Sequence, residues 1–287
     1  MTKTWLVTGS AHGLGRHIVE AALAAGDKVV ATARDTARLA DLATAHRATL
    51  RRFELDVTDA VAAQAAVDFA VETFGRLDVL VNNAGYGHAA PFEQMSVTDF
   101  RGQIDTNFYG VVNLTRAALP IMRQQRGGYV INISSVGGRV GTPSMSAYQA
   151  AKWAVGGFTE VIAKEAAPFG VKVIAVEPGG MRTDWGFVAR SKVPALLPDY
   201  EPSVGVLFNL LKDHAGHEIG DPAKVAKVIV DLTTRATLPA HLLLGSDALV
   251  VCDGAEEVRR QEAAAWREVS KSTDFPGADL SFLSGLK

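Results

Sequence analysis

Short apolar runs rich in valine, isoleucine and leucine alternate along the chain with longer, alanine-rich stretches of helical period. Strands are predicted over residues 5–8, 28–33, 49–55, 77–81, 129–134, 171–176 and 241–244. Helices are predicted over 13–25, 36–46, 58–74, 96–125, 146–169 and 221–234. In the 146–169 stretch, apolar residues at 147, 150, 151, 154, 155, 158, 161 and 162 trace one buried helical face. Gly26 suits a left-handed helix C-cap, and Asp221-Pro222 supplies an N-cap followed by proline at the first helical position. Strands that read as continuous apolar runs are buried on both faces, and regular strand–helix alternation builds a parallel sheet covered on both sides. The expected fold is α/β, a doubly wound parallel sheet in three layers, α/β/α.

Composition narrows the function classes. With 287 residues, 48% hydrophobic and 21% charged, the chain supports a large core and is not disordered. No proline-rich or glycine/serine-rich linker divides it, so one domain is expected despite the length. A formal charge of −2 lacks the basic excess of a nucleic-acid binder. The single cysteine, Cys252, excludes an internal disulfide and a multi-thiolate metal site, and fits a reducing cytoplasm. His214 and His217 are the one close histidine pair, without a His-Glu-x-x-His pattern, so no metal is expected. The N-terminal apolar run is too short for a secretory signal, and no run reaches the ~20 residues of a spanning helix. No membrane partner is expected.

Glycine placement carries more information than glycine content. Thr8-Gly9-Ser10-Ala11-His12-Gly13-Leu14-Gly15 joins the first strand to the first helix with the spacing Gly-x-x-x-Gly-x-Gly. Glycines there let backbone amides and the positive end of the helix approach a pyrophosphate. From this point the chain resembles the short-chain dehydrogenase/reductase family, of classical type, over roughly residues 3 to 250. Asn82-Asn83-Ala84-Gly85 after the fourth strand, Asp56 at the end of the third, and Pro178-Gly179 with Thr183 after the sixth match the family's elements. The resemblance implies a Rossmann-like NAD(P)-binding domain. The cofactor would be held by Gly9, Ser10, His12, Gly13, Leu14, Gly15, Arg34, Asp56, Val57, Asn83, Ala84, Gly85, Tyr148, Lys152, Pro178, Gly179 and Thr183.

The end of the second strand decides between the dinucleotides. Arg34 follows Ala33, and a guanidinium forks onto a 2′-phosphate, which favours NADP. Asp35 lies where an acidic residue binds ribose hydroxyls, which keeps NAD open.

Tyr148 and Lys152 stand four residues apart on one helix, hence on one face. A lysine cation favours the phenolate and is expected to draw the tyrosine pKa down from about 10. Ser135 ends the fifth strand at the carboxyl edge, where open α/β sheets bind ligands; family spacing selects it over Ser134. Asn107, in Asp105-Thr106-Asn107-Phe108, resembles the family's fourth catalytic residue, which bends its helix and holds a water linking lysine to solvent. The set Asn107, Ser135, Tyr148 and Lys152 implies hydride transfer between nicotinamide and a carbonyl or alcohol, with Tyr148 as general acid/base.

Residues 184–221 read as a substrate lid with Trp185, Phe187, Leu196, Leu197, Tyr200, Leu207, Phe208, Leu210 and Leu211, suited to an apolar or bulky ketone or aldehyde. Tyr86, His88, Met145 and Met181 are candidates for its mouth. The expected organisation is a catalytic domain over 1–250 and a helical extension over 251–287, with a turn at 245–248 and a helix over 254–272. Ala264, Ala265 and Trp266 are expected to dock that extension on its own subunit. Relatives dimerise through the long helices around Asn107 and Tyr148, so a homodimer is expected. Two alternatives stand beside an NADP-linked carbonyl reductase: an NAD-linked alcohol dehydrogenase with the same site, and a non-catalytic dinucleotide sensor.

Overall fold

A computed structural model describes residues 2–190, 193–213 and 216–286. His214 of the histidine pair lies outside the described residues, as do the side chains of Leu210 and Leu211 in the lid. Seven parallel strands form one sheet: β1 (Thr4–Val7), β2 (Lys28–Ala33), β3 (Leu50–Glu54), β4 (Val79–Asn82), β5 (Gly128–Ile133), β6 (Val171–Pro178) and β7 (His241–Leu244). Their order is β3-β2-β1-β4-β5-β6-β7. The chain reverses its winding between β1 and β4, and at such a switch point the carboxyl ends of neighbouring strands open a crevice. In register, Val7 of β1 lies beside Ala31 of β2 and Val81 of β4, so the loops that leave these strands meet there.

The helices before the lid are α1 (Gly13–Ala24), α2 (Ala40–Ala45), α3 (Ala60–Phe74), α4 (Val97–Ile104), α5 (Gly110–Gln125) and α6 (Ser146–Ala166). After it come α7 (Trp185–Arg190), α8 (Val206–Asp213), α9 (Pro222–Leu232), α10 (Ser246–Ala265) and α11 (Arg267–Lys271). One buried cluster joins α1 and α9 to the sheet through Ile18, Val19, Val225 and Ile229; the opposite one joins α3 and α5 through Val67, Leu114 and Met122. Gly26 takes φ +83° and the Asp221 carboxylate caps the N–H groups of Ala223 and Lys224, as their sequence positions predict.

Four segments differ from the sequence expectation. Residues 36–39 form a tight 3-10 turn ahead of the short α2, because the Asp35 carboxylate folds back onto the N–H of Ala37. The third helix starts at Ala60 rather than 58, where Asp59 provides the N-cap. The stretch 96–125 is broken by a π turn, Asp105–Tyr109, between α4 and α5. One inserted residue shifts which side chains face inward over a single turn, too short a change for periodicity to show. The predicted turn at 245–248 is the start of α10, which runs on past residue 254.

Candidate active site

The loop from β1 to α1 is shaped by close approach. Gly9 has φ +64°, and a Cβ there would lie 2.8 Å from the Ala84 Cα. A Cβ on Gly15 would collide with the Gly9 carbonyl oxygen and the Asn83 amide. The Asn83 Nδ2 donates to the carbonyls of Thr8 and Gly9 at 3.0 and 3.1 Å, while Thr8 Oγ1 accepts the N–H groups of Asn83 and Ala84 at 2.9 and 3.0 Å. Ser10 is fully buried and donates to the Val7 carbonyl at 2.7 Å, tying the loop back to β1. His12 is exposed and enters α1 without capping it, and no acidic residue lies in the first turn. The first amides of α1, with Leu14 buried behind them, are thus left for an outside anion. That donor set fits a dinucleotide pyrophosphate.

Arg34 and Asp56 close the far end of the crevice. Ala33 of β2 faces Glu54 of β3, and Leu55 N–H donates to the Ala33 carbonyl, so the chain ends at Arg34 and Asp56 emerge together. Asp56 Oδ1 accepts both the N–H and the hydroxyl of Thr58, at 2.9 and 2.8 Å. These bonds, with the Arg34 charge, hold the Asp56 carboxyl below its ordinary value. Val57 is buried, and the Asn113 amide donates to its carbonyl. Asp35 is engaged as the cap of the 3-10 turn.

Beyond β4, the π turn rotates Asn107 into the protein, where it is fully buried. Its side chain pairs with the Tyr86 peptide in both directions: Nδ2 donates to Tyr86 O at 2.8 Å and Oδ1 accepts Tyr86 N–H at 3.2 Å. Gly85 is required by this pairing, since a Cβ there would run into Asn107 Oδ1.

The N-terminal part of α6 packs Tyr148 and Lys152 against the end of β5. Lys152 Nζ donates to the Ile133 carbonyl at 2.7 Å and lies 5.6 Å from the Tyr148 ring centroid. The two serines part company: Ser134 Oγ donates to the Lys152 carbonyl at 3.3 Å, whereas Ser135 Oγ accepts the Gly137 N–H at 3.0 Å and sits near enough to the Tyr148 phenol to favour its ionised form. Burial pushes the phenol up to about 12, against the smaller pull of Ser135, and pushes the Lys152 ammonium down to about 8. This corrects the expectation that lysine draws the tyrosine down. Both groups are enclosed, and burial is the main cause of each shift. The phenol is therefore protonated at neutral pH.

The β6 turn and the lid complete the site. Pro178, the last residue of β6, is buried, and Gly179 N–H donates to the Leu244 carbonyl at 2.9 Å. Thr183 lies beside the glycine loop, its Cβ 3.8 Å from where a Gly13 Cβ would be. Two residues on, Trp185 stacks on Tyr148 with ring centroids 4.9 Å apart. Its indole fills a slot over Gly87, where a Cβ would come within 2.6 Å, next to Met145. Phe187, by contrast, is exposed, and Tyr200 donates to Glu93 at 2.8 Å, away from Tyr148.

Sequence reasoning passed over several contributors. Thr8 organises the loop after β4, and a Thr-Gly pair at a strand end was the available signal. Asn132, polar in an apolar strand, accepts from Asn82 at 2.8 Å and donates to Thr159 at 2.9 Å, bracing β4, β5 and α6 behind the site. Ala264, Ala265 and Trp266 do not dock: they are exposed, because α10 leaves the body of the subunit before reaching them. Among the described residues, no group of three or more His, Cys, Asp or Glu side chains forms a metal site. No helix among them is long and apolar enough to cross a membrane.

Comparison with known proteins places the chain in a family. The pattern of the short chain dehydrogenase family matches residues 3–192. Oxidoreductase BOA17 of Botryotinia fuckeliana is 44% identical over 271 residues, covering 94% of this chain and 98% of that protein. The crystal structure of a short-chain dehydrogenase from Streptomyces avermitilis superposes with a TM-score of 0.88 at 39% identity, covering 96% of this chain and 100% of the other. ElxO with NADP bound superposes with a TM-score of 0.72 at 29% identity, covering 87% and 100%. The chain belongs to the short-chain dehydrogenase/reductase family. It is an NAD(P)-dependent oxidoreductase that acts on CH–OH groups and their carbonyl counterparts.

Proposed function

We propose that this enzyme reduces an apolar or bulky ketone or aldehyde with NADPH, Tyr148 acting as the proton donor. The observation that carries the reading is a buried phenol set beside Ser135, four residues before the buried Lys152 on α6, with the Trp185 indole packed against its ring. Bound NADPH supplies the hydride. Ser135 orients the substrate oxygen, and Tyr148 delivers its proton to that oxygen as charge develops on it. Lys152 orients the nicotinamide ribose and, with Asn107, returns the proton through water. Trp185 excludes water from the phenol and offers an apolar wall.

Preference for NADP(H) rests on Arg34, exposed at the adenosine end, and on Asp35, whose carboxylate is occupied by the Ala37 N–H. The NADP bound to ElxO supports the same choice. A homodimer belongs to this reading, supported by Tyr109, Trp153 and Val161, which stay exposed on the elements carrying Asn107 and Tyr148. The test is a panel of aldehydes and ketones run with NADPH and NADH. Turnover of bulky members with NADPH at lower KM than NADH is expected. Binding of NADPH without turnover of any member would favour a sensor instead.

A further inference from the structure

The start of α10 reaches the cofactor crevice at one point. Asp247, in the first turn, accepts the N–H of Gly180 through Oδ2 at 2.7 Å. The same carboxylate fills the space where a Gly179 side chain would stand. The 178–183 turn is held from the other side as well: Gly220 N–H donates to Gly180 O at 2.8 Å, and Arg182 N–H donates to Gly220 O at 3.1 Å. Between these two clamps the turn runs from the end of β6 to Thr183, beside Gly13.

Asp247 holds this place at a cost. Its Oδ1 is buried without a hydrogen-bond partner among the described residues, and Gly245 takes φ +110° to make room for it. An unpaired buried carboxylate oxygen is destabilising, and the positive end of α10 offsets only part of that. The bond to Gly180 is the contact that gives the group a task.

We propose that Asp247 is a positioning residue for the nicotinamide half of the cofactor. It fixes the backbone of the 178–183 turn, so the C-terminal helix takes part in placing the hydride donor over the substrate carbonyl. A displacement of about 1 Å in such a contact is enough to slow transfer severely. The inference rests on the NADP(H) reading above and extends it beyond the family-matched residues, which end at 192.

The test compares Asp247→Ala and Asp247→Asn in the full chain, titrated with NADPH and with adenosine 2′,5′-bisphosphate, which has the adenine and 2′-phosphate but no nicotinamide. Asp247→Ala should weaken NADPH by about tenfold, the loss of one charge-assisted hydrogen bond, and leave the bisphosphate unchanged. Asp247→Asn retains an acceptor for Gly180 and should recover most of the NADPH affinity. If the alanine variant does not fold, Asp247→Glu carries the test, since its longer arm displaces the acceptor and must weaken NADPH alone. Equal loss for both nucleotides, no loss for either, or no recovery in Asp247→Asn overturns the assignment. A wild-type protein that binds neither nucleotide overturns the NADP(H) reading itself, and this inference with it.

Discussion

The rings of Tyr148 and Trp185 lie 4.9 Å apart at 53°, so the segment after β6 meets the buried phenol through an aromatic contact. On the proposed reading, the indole is the apolar wall nearest the phenol that a carbonyl substrate would meet. Trp185→Ala is expected to raise kcat/KM for bulky ketones relative to small aldehydes by about tenfold, the scale on which apolar pockets discriminate. A competition between a small and a bulky carbonyl measures the ratio, and an unchanged ratio contradicts the role of the indole.

Lys152 gives a stability prediction with a defined sign. Its pKa falls from 10.5 to about 8 on folding, so between those values the unfolded chain binds more protons than the native one. Stability therefore rises with pH across that window, and below pH 8 the full burial penalty, about 3 kcal/mol, is present. Lys152→Met removes it but leaves the Ile133 carbonyl unpaired, which costs about 1 kcal/mol. The variant should be about 2 kcal/mol more stable at pH 7 by denaturant unfolding, with the gain gone by pH 10.5, and inactive. A variant less stable than wild type at pH 7 would contradict this balance.

At the adenosine end, Arg34→Ala should weaken NADPH by about tenfold or more and NADH by little, because a 2′-phosphate loses a forked, charge-assisted partner. Fluorescence titrations at two salt concentrations check it, since the NADPH advantage should shrink as salt rises. Equal loss for both cofactors would remove the phosphate from the role of Arg34.

Behind the site, the fully buried Glu177 carboxylate meets Arg139 at 3.3 Å and His241 Nδ1 at 2.7 Å, and Arg139 also pairs with Glu256 of α10. Removing one partner of a buried charge costs about 3 kcal/mol. Arg139→Met should lower the melting temperature by several degrees, an effect visible by calorimetry. A melting point equal to that of the wild type would show that Glu177 finds compensation elsewhere.

The inner strands were legible because, buried on both faces, they are written as mostly apolar runs, while the edge strand β3 carries Arg51 and Arg52 and is only partly buried. The placement of the glycine loop, Ser135, Tyr148 and Lys152 was legible because strand ends and helical spacing set where they lie. The π turn at Asn107 was not, since one inserted residue changes which side chain faces inward without changing composition. The start of α10 was misread as a turn because Gly245, Ser246 and Asp247 favour turns and helix starts alike. The task of Asp247 is a contact across the fold with Gly180, 67 residues away in sequence, and no local pattern encodes it. Trp266 shows the reverse: apolar character suggested docking, yet the helix carries it away from the core, where it is 65% exposed.

The most direct test is Tyr148→Phe followed through a single turnover, with NADPH oxidation and NADPH affinity measured on the same protein. The variant keeps the ring against Trp185 and loses only the transferable proton. The account predicts cofactor affinity close to wild type and reduction slowed by about a thousandfold or more. A Tyr148→Phe enzyme that reduces the carbonyl at the wild-type rate would contradict it.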